Sequence, residues 1–165
     1  RHGRQHRPVP LGRELTYDLR PAAYDSADAQ LLTDEVQLEY TRRYGGEGDT
    51  NPLDPAEFVP PAGQFFVVYV DDVPAAMGGW RRHGNDAEIR RMYVRPQFQS
   101  RGLARVVLDQ IESTAREVGF TQMILETGLA QPEAIELYRS AGYDDIPAFG
   151  FYAEEELSVH LGKLL

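Results

Sequence analysis

The stretch from Ala87 to Val118 constrains the fold more than any other. A β-prone run from Glu88 to Val94 stops at Arg95-Pro96 and passes through Gln99-Ser100-Arg101-Gly102-Leu103-Ala104 into a long amphipathic pattern. There Leu103, Val107, Ile111 and Val118 share one stripe, Ala104, Leu108 and Ala115 lie beside it, and Gly119 supplies the stop. Met123-Ile124-Leu125 follows as a short buried strand. Strand, helix, strand in this order implies one parallel, right-handed crossover, because parallel strands need a long connection and a twisted sheet selects its hand. The strand-to-helix junction gathers free backbone N–H groups at the positive end of a helix, which makes it an anion site.

The remaining chain reads as elements added around that unit. Leu15, Tyr17 and Leu19 alternate with polar residues up to Arg20-Pro21, as in a strand. Asp25 or Ser26 can cap a helix carrying Leu32, Val36 and Tyr40 and ending near Tyr44-Gly45-Gly46. Residues 45–63 are rich in Gly, Pro and carboxylates, so a long loop with one helical turn around Pro55 to Phe58 is expected, of the kind that often meets a ligand. Phe65 to Val70, a turn at Asp71-Asp72 and Pro74 to Trp80 form a hairpin, in which Gly78-Gly79 mark either a bulge with close backbone approach or a simple kink. Gly84-Asn85 turn the chain into Glu88. Pro132 opens a short helix closed by Gly142, and Leu157, Val159 and Leu161 alternate in a last strand. With no internal repeat, this pattern indicates an α+β or mixed α/β layer on one sheet.

Composition bounds the function. A chain of 165 residues with 42% hydrophobic content makes one core, so residues 14–165 are expected to form a single domain. Residues 1–13, with four arginines, two histidines and no apolar period, are expected to be a disordered basic arm outside the fold. The net charge of -9 argues against nucleic acid as a partner, since phosphate backbones need excess Lys and Arg. There is no cysteine for a disulfide, a thiolate nucleophile or a Cys-ligated metal. No run reaches the ~20 apolar residues of a membrane helix and no apolar signal region opens the chain, so a soluble, cytoplasmic protein without membrane partners is expected. Neither Gly-Lys-Ser/Thr nor GxGxxG is present, and His83 and His160 stand in no metal-ligand spacing.

Gln99, Gly102 and Ala104 match Gln/Arg-x-x-Gly-x-Gly/Ala, preceded by Met92-Tyr93-Val94 with Pro96, and followed by Glu126-Thr127-Gly128 and by Ala134-Ile135 with Leu137-Tyr138 and Gly142-Tyr143. In this order the segments resemble the GNAT family of N-acetyltransferases, most closely from Phe65 to Tyr143. The resemblance implies a mixed, mostly antiparallel sheet of about six or seven strands, a central parallel strand-helix-strand crossover and flanking helices. It also implies acetyl-CoA as co-substrate, with no metal. Backbone amides from Ser100 to Arg105 (Ser100, Arg101, Gly102, Leu103, Ala104, Arg105) would then hold the pyrophosphate, and main-chain groups of Met92, Tyr93 and Val94 the pantetheine arm, with an N–H near Met92 facing the thioester oxygen.

Acetyl transfer to an amine needs a base for the ammonium and an acid for the departing thiolate. The resemblance puts the base at Glu88, with Glu126 as the competing carboxylate and pairing with Arg90 or Arg81 as the structural alternative for Glu88. It puts the acid at Tyr138. The family's upstream Asn, which holds pantetheine, is replaced by Gln131 before Pro132, which leaves that contact open. The implied function is direct transfer of acetyl to a primary amine of a small molecule or protein; a non-catalytic acyl-CoA sensor and a longer acyl donor are the alternatives. Asp34, Glu35, Glu39, Glu47, Asp49 and Asp54 favour a cationic small molecule slightly over a protein amine, against the alternative of a solvated acidic face. Tyr40, Tyr44 and Trp80 are candidates for the acceptor pocket or for ordinary packing. Many members of the family dimerise, so a homodimer is an expectation that no apolar stripe in the sequence carries.

Overall fold

The computed structural model describes residues 5–10 and 14–165, with side chains from residue 16 onward. Eight strands form one sheet: β1 (Gln5–Pro10), β2 (Glu14–Pro21), β3 (Gly63–Val70), β4 (Val73–His83), β5 (Asp86–Val94), β6 (Gln122–Gly128), β7 (Asp144–Asp145) and β8 (Ser158–Leu164). Their order is β1-β2-β3-β4-β5-β6-β8-β7, and every neighbouring pair is antiparallel except β5 and β6. The helices are α1 (Ala27–Tyr44), α2 (Leu103–Val118) and α3 (Pro132–Ser140). The mixed, mostly antiparallel sheet around one β5-α2-β6 crossover is the expected fold.

Two strands go beyond the sequence reading. Gln5–Pro10, expected outside the fold, pair with β2 as an edge strand, while residues 1–4 and 11–13 lie outside the described residues. An edge ladder is made by backbone groups and tolerates proline, so neither an apolar period nor its absence reports it. The two-residue β7 is equally silent in sequence.

The two faces of the sheet carry separate cores. On one, α2 buries Leu103, Val107, Leu108, Ile111 and Ala115 against Ala87, Ile89, Met123 and Leu125; each large side chain contributes roughly 1.5–3 kcal/mol. Val118, counted on the same stripe, is 39% exposed in the last turn. On the other, α1 buries Leu32 and Val36 with Tyr24, Phe58, Phe65 and Met77. Ser26 caps α1 by accepting the Ala29 N–H, and Gly45 ends it at φ 74°. Trp80 is wholly buried and donates to Thr114 Oγ1 at 3.0 Å, so it belongs to the core. Among the described residues no helix is long and apolar enough to cross a membrane.

Gly78-Gly79 mark a bulge. Met77 pairs with Tyr93 and Gly79 with Arg90, so Arg91 and Met92 together oppose Gly78, and Arg91 takes a left-handed φ of 59°. A Cβ on Gly78 would lie 2.5 Å from Met92 Sδ and 2.8 Å from Val107 Cγ1. Gly78→Ala is therefore expected to destabilise the protein by about 1–3 kcal/mol through overpacking. A urea titration measures it, and an unchanged midpoint would show that the bulge relaxes freely.

Candidate active site

The parallel ladder between β5 and β6 is short: only Ala87↔Met123 and Glu88↔Ile124 are in register. Past them the strands diverge, because the bulge at Arg91 adds local twist to β5 alone. The gap opens a cleft of about 850 Å³, with Met92, Tyr93 and Val94 on one side and Glu126, Thr127 and Gly128 on the other. Among the described residues, no β5 residue beyond Glu88 pairs with β6.

One end of the cleft is formed by Gln99, Ser100, Gly102, Leu103, Ala104 and Arg105. Ser100 and Gly102 both adopt left-handed backbone, at φ 61° and 78°, so successive amides curve into a concave nest. The first bond of α2 runs from Val106 N–H to Gly102 O at 3.2 Å, so the amides before it have no partner within the helix. Gln99 Nε2 donates to Val94 O at 3.3 Å and ties the nest to the end of β5. Arg105 donates to the Ser140 hydroxyl on α3. Arg101 is exposed and does not line the cleft.

The carboxylates are arranged differently from the sequence expectation. Glu88 is 5% exposed and is not among the residues lining the cleft. It accepts from Arg81 Nε at 3.2 Å and lies 3.7 Å from both Arg90 Nη1 and His83 Nδ1, so the paired alternative describes its surroundings. Arg81 is held in turn by Glu57 at 3.1 Å and by Pro52 O at 3.2 Å. Glu126 lines the cleft, and its side-chain bond is with the Ser158 hydroxyl at 3.1 Å. Burial pushes its carboxyl up to about 7, partly opposed by the Ser158 bond and reinforced by the charge of Asp49. Tyr138 also lines the cleft; its ring packs against Tyr143 at 5.6 Å, and burial raises its hydroxyl well above the ordinary range, with Tyr40 and Glu126 adding to the shift.

The acidic cluster of α1 and its loop is largely neutralised in place. Glu35 pairs with Arg95 at 2.9 Å, Glu39 with Arg42 and Arg43, and Asp54 caps the 3-10 turn Pro55–Phe58. Asp49 accepts from Arg90 at 2.7 Å, from Arg91 and from the Tyr152 hydroxyl, while Gln37 brackets its backbone. Burial would raise the Asp49 carboxyl, but the two guanidinium groups hold it below its usual value. Tyr40 and Tyr44 line the cleft beside Tyr152. Neither Tyr152, in the irregular run before β8, nor Ser158, the first residue of β8, carries a sequence signal.

Glu126 also carries a stability signature. Its folded carboxyl holds a proton that the unfolded chain releases near pH 4.5, so stability falls as pH rises from there to about 7. Glu126→Gln, which stays neutral, is expected to match the parent at pH 4 and exceed it at pH 8 by on the order of 1 kcal/mol. Urea midpoints at both pH values measure this, and parallel curves would remove the raised carboxyl from the site.

Comparisons with known proteins identify the family and the fold. Residues 29–143 match the Acetyltransferase (GNAT) family. An IAA acetyltransferase of Azospirillum brasilense is 38% identical over 82 residues, which make up 50% of this chain and 54% of that protein. An uncharacterized N-acetyltransferase of Escherichia coli K12 is 37% identical over 59 residues, 36% of this chain and 35% of that one. The chain thus spans about half the length, or less, of these curated relatives. Among solved structures, the GNAT domain of S. lividans PAT superposes with a TM-score of 0.74 at 21% identity, covering 98% of this chain and 97% of that one. A Bacillus anthracis protein solved in complex with acetyl coenzyme A gives 0.61 at 16% identity, covering 70% of each chain. At these identities the structural likeness concerns the fold. The sequence match covers the β5-α2-β6 unit and its nest, and this chain belongs to the Acetyltransferase (GNAT) family.

Proposed function

We propose that the protein transfers the acetyl group of acetyl-CoA directly to a primary amine, with Glu126 as the base and Tyr138 as the acid. The observation that carries this reading is that the amide nest, the unpaired edge of β5, one underpaired carboxylate and one buried tyrosine all line a single cleft.

The nest from Ser100 to Arg105 suits a pyrophosphate, because several amides converge where the helix dipole is positive. The gap beside β5 suits the extended arm that follows, with main-chain groups of Met92, Tyr93 and Val94 as its partners. An N–H near Met92 would stabilise negative charge developing on the carbonyl oxygen. Acetyl-CoA supplies the activated thioester, and the protein must then move two protons.

Glu126 fits the first. A carboxyl near 7 is half ionised at neutral pH and accepts a proton from an ammonium directly or through one water. Glu88, the residue the family resemblance favours, is enclosed by Arg81 and Arg90 and lies off the cleft wall, so its role in this reading is to hold those guanidinium groups. Tyr138 fits the second: a hydroxyl kept protonated by burial can donate to a departing thiolate.

The two carboxylates separate experimentally. Glu126→Gln is expected to lower kcat about 100-fold or more and to abolish the rise in rate through pH 7. Glu88→Gln is expected to keep that rise and to lower thermal stability, since it loosens a buried ion pair. The opposite outcome in pH-rate profiles of acetyl-CoA thiol release would return the base to Glu88. Tyr138→Phe should lower kcat by about 100-fold with little change in the KM for acetyl-CoA; a selective rise in KM instead would make the ring a packing residue only.

A further inference from the structure

We infer that the acceptor is a monoamine with an apolar or aromatic body, rather than a polyamine or a lysine of a folded protein. This rests on the acetyl-transfer reading of the same cleft and concerns what its acceptor end admits.

The first observation is the state of the charges. Of the carboxylates lining the cleft, Asp49 is held by Arg90, Arg91 and Tyr152, Glu39 by Arg42 and Arg43, and Glu133 by Arg43 at 2.6 Å. Each already has its cation. Among the described residues Glu126 has only a hydroxyl from Ser158, so one partly buried position remains where an ammonium adds a charge-assisted bond. Glu155 also lines the cleft but is exposed, as are its neighbours Glu154 and Glu156. Such carboxylates attract a cation to the entrance, and a second ammonium held there gains little in water.

The second observation is the wall. Val36, Tyr40, Tyr44, Tyr152 and Leu157 face the cleft. Two of the tyrosine hydroxyls are committed within the protein: Tyr44 donates to Gln131 Oε1 at 3.1 Å and Tyr152 donates to Asp49. Their rings, not their hydroxyls, are what an acceptor meets. Leu157 is 55% exposed and adds an aliphatic surface at the same end. A hydrocarbon or aryl body gains burial here, whereas a chain of further ammonium groups would have to shed water without partners.

The third observation is access. Arg43 Nη1 donates to Ala130 O at 2.8 Å, Tyr44 reaches Gln131, and Thr50 N–H donates to the Tyr152 hydroxyl at 3.1 Å. These bonds join α1 and its following loop to segments flanking β6 and β8, across the divergence of the strands. A lysine on a folded surface would have to displace them, and a small amine would not.

The test pairs turnover with direct binding, using phenethylamine, spermidine and a lysine-containing peptide. Thiol release from acetyl-CoA is expected to show kcat/KM for phenethylamine about tenfold or more above the other two, with Leu157→Lys raising its KM about tenfold while the KM for acetyl-CoA is unchanged. Equal or better turnover of spermidine or the peptide would overturn the inference and leave acetyl transfer standing. If no amine releases thiol, calorimetry on the CoA-saturated protein decides. Saturable binding of phenethylamine but not spermidine upholds the acceptor class while the transfer reading fails; no phenethylamine binding overturns the class.

Discussion

The divergence of β5 from β6 is the constraint on which the rest depends. Two parallel strands that stayed in register to their ends would fill each other's hydrogen bonds and leave no cleft. Here the ladder stops after Glu88↔Ile124, and a left-handed residue, Arg91, bends one strand away. Gly78 makes this possible by leaving room for the Met92 and Val107 side chains above the bulge. The same helix that closes the crossover, α2, presents its open first turn to one end of the gap. Fold and ligand site are thus two results of one irregularity in an otherwise regular sheet.

Beside the cleft lies a chain of ion pairs running from Glu57 through Arg81, Glu88 and Arg90 to Asp49 and Arg91. Burying so many charges is costly unless each is paired, which is the arrangement found. The chain adds to the packing of Phe58 in fixing the loop after α1 against the sheet. It also shapes the electrostatics of Glu126, whose carboxyl is pushed up by burial and by Asp49 while Arg90 pulls it down.

The sequence was most legible where side-chain period decides structure. The α2 stripe, the hairpin around Asp71-Asp72 and the αL glycines at 102 and 119 follow from patterns that any packed layer must satisfy. The nest residues from Gln99 to Arg105 were visible for the same reason, being tied to a helix start, although Arg101 does not line the cleft. What stayed hidden depends on contacts between distant segments. Glu88 and Glu126 are alike in sequence, each a glutamate in a strand, and they differ only because Arg81 and Arg90 enclose one while the gap exposes the other. Asp49 read as one of six acidic residues; that two arginines of β5 would neutralise it was not encoded locally. β1 and β7 rest on backbone pairing, which leaves no mark on composition.

The bond between Tyr152 and Asp49 has a further meaning. It joins two irregular segments, 45–63 and 146–157, that share no secondary structure and lie far apart in sequence. The end of the cleft at the start of α2 is built from ladder and helix, where a change of register or volume disturbs the core. The opposite end is built from side chains meeting across loops, where substitutions alter shape and charge locally. The two ends therefore differ in how freely they can diverge: under the proposed reading, acceptor preference can change between descendants of one scaffold while the acyl-donor machinery stays as it is.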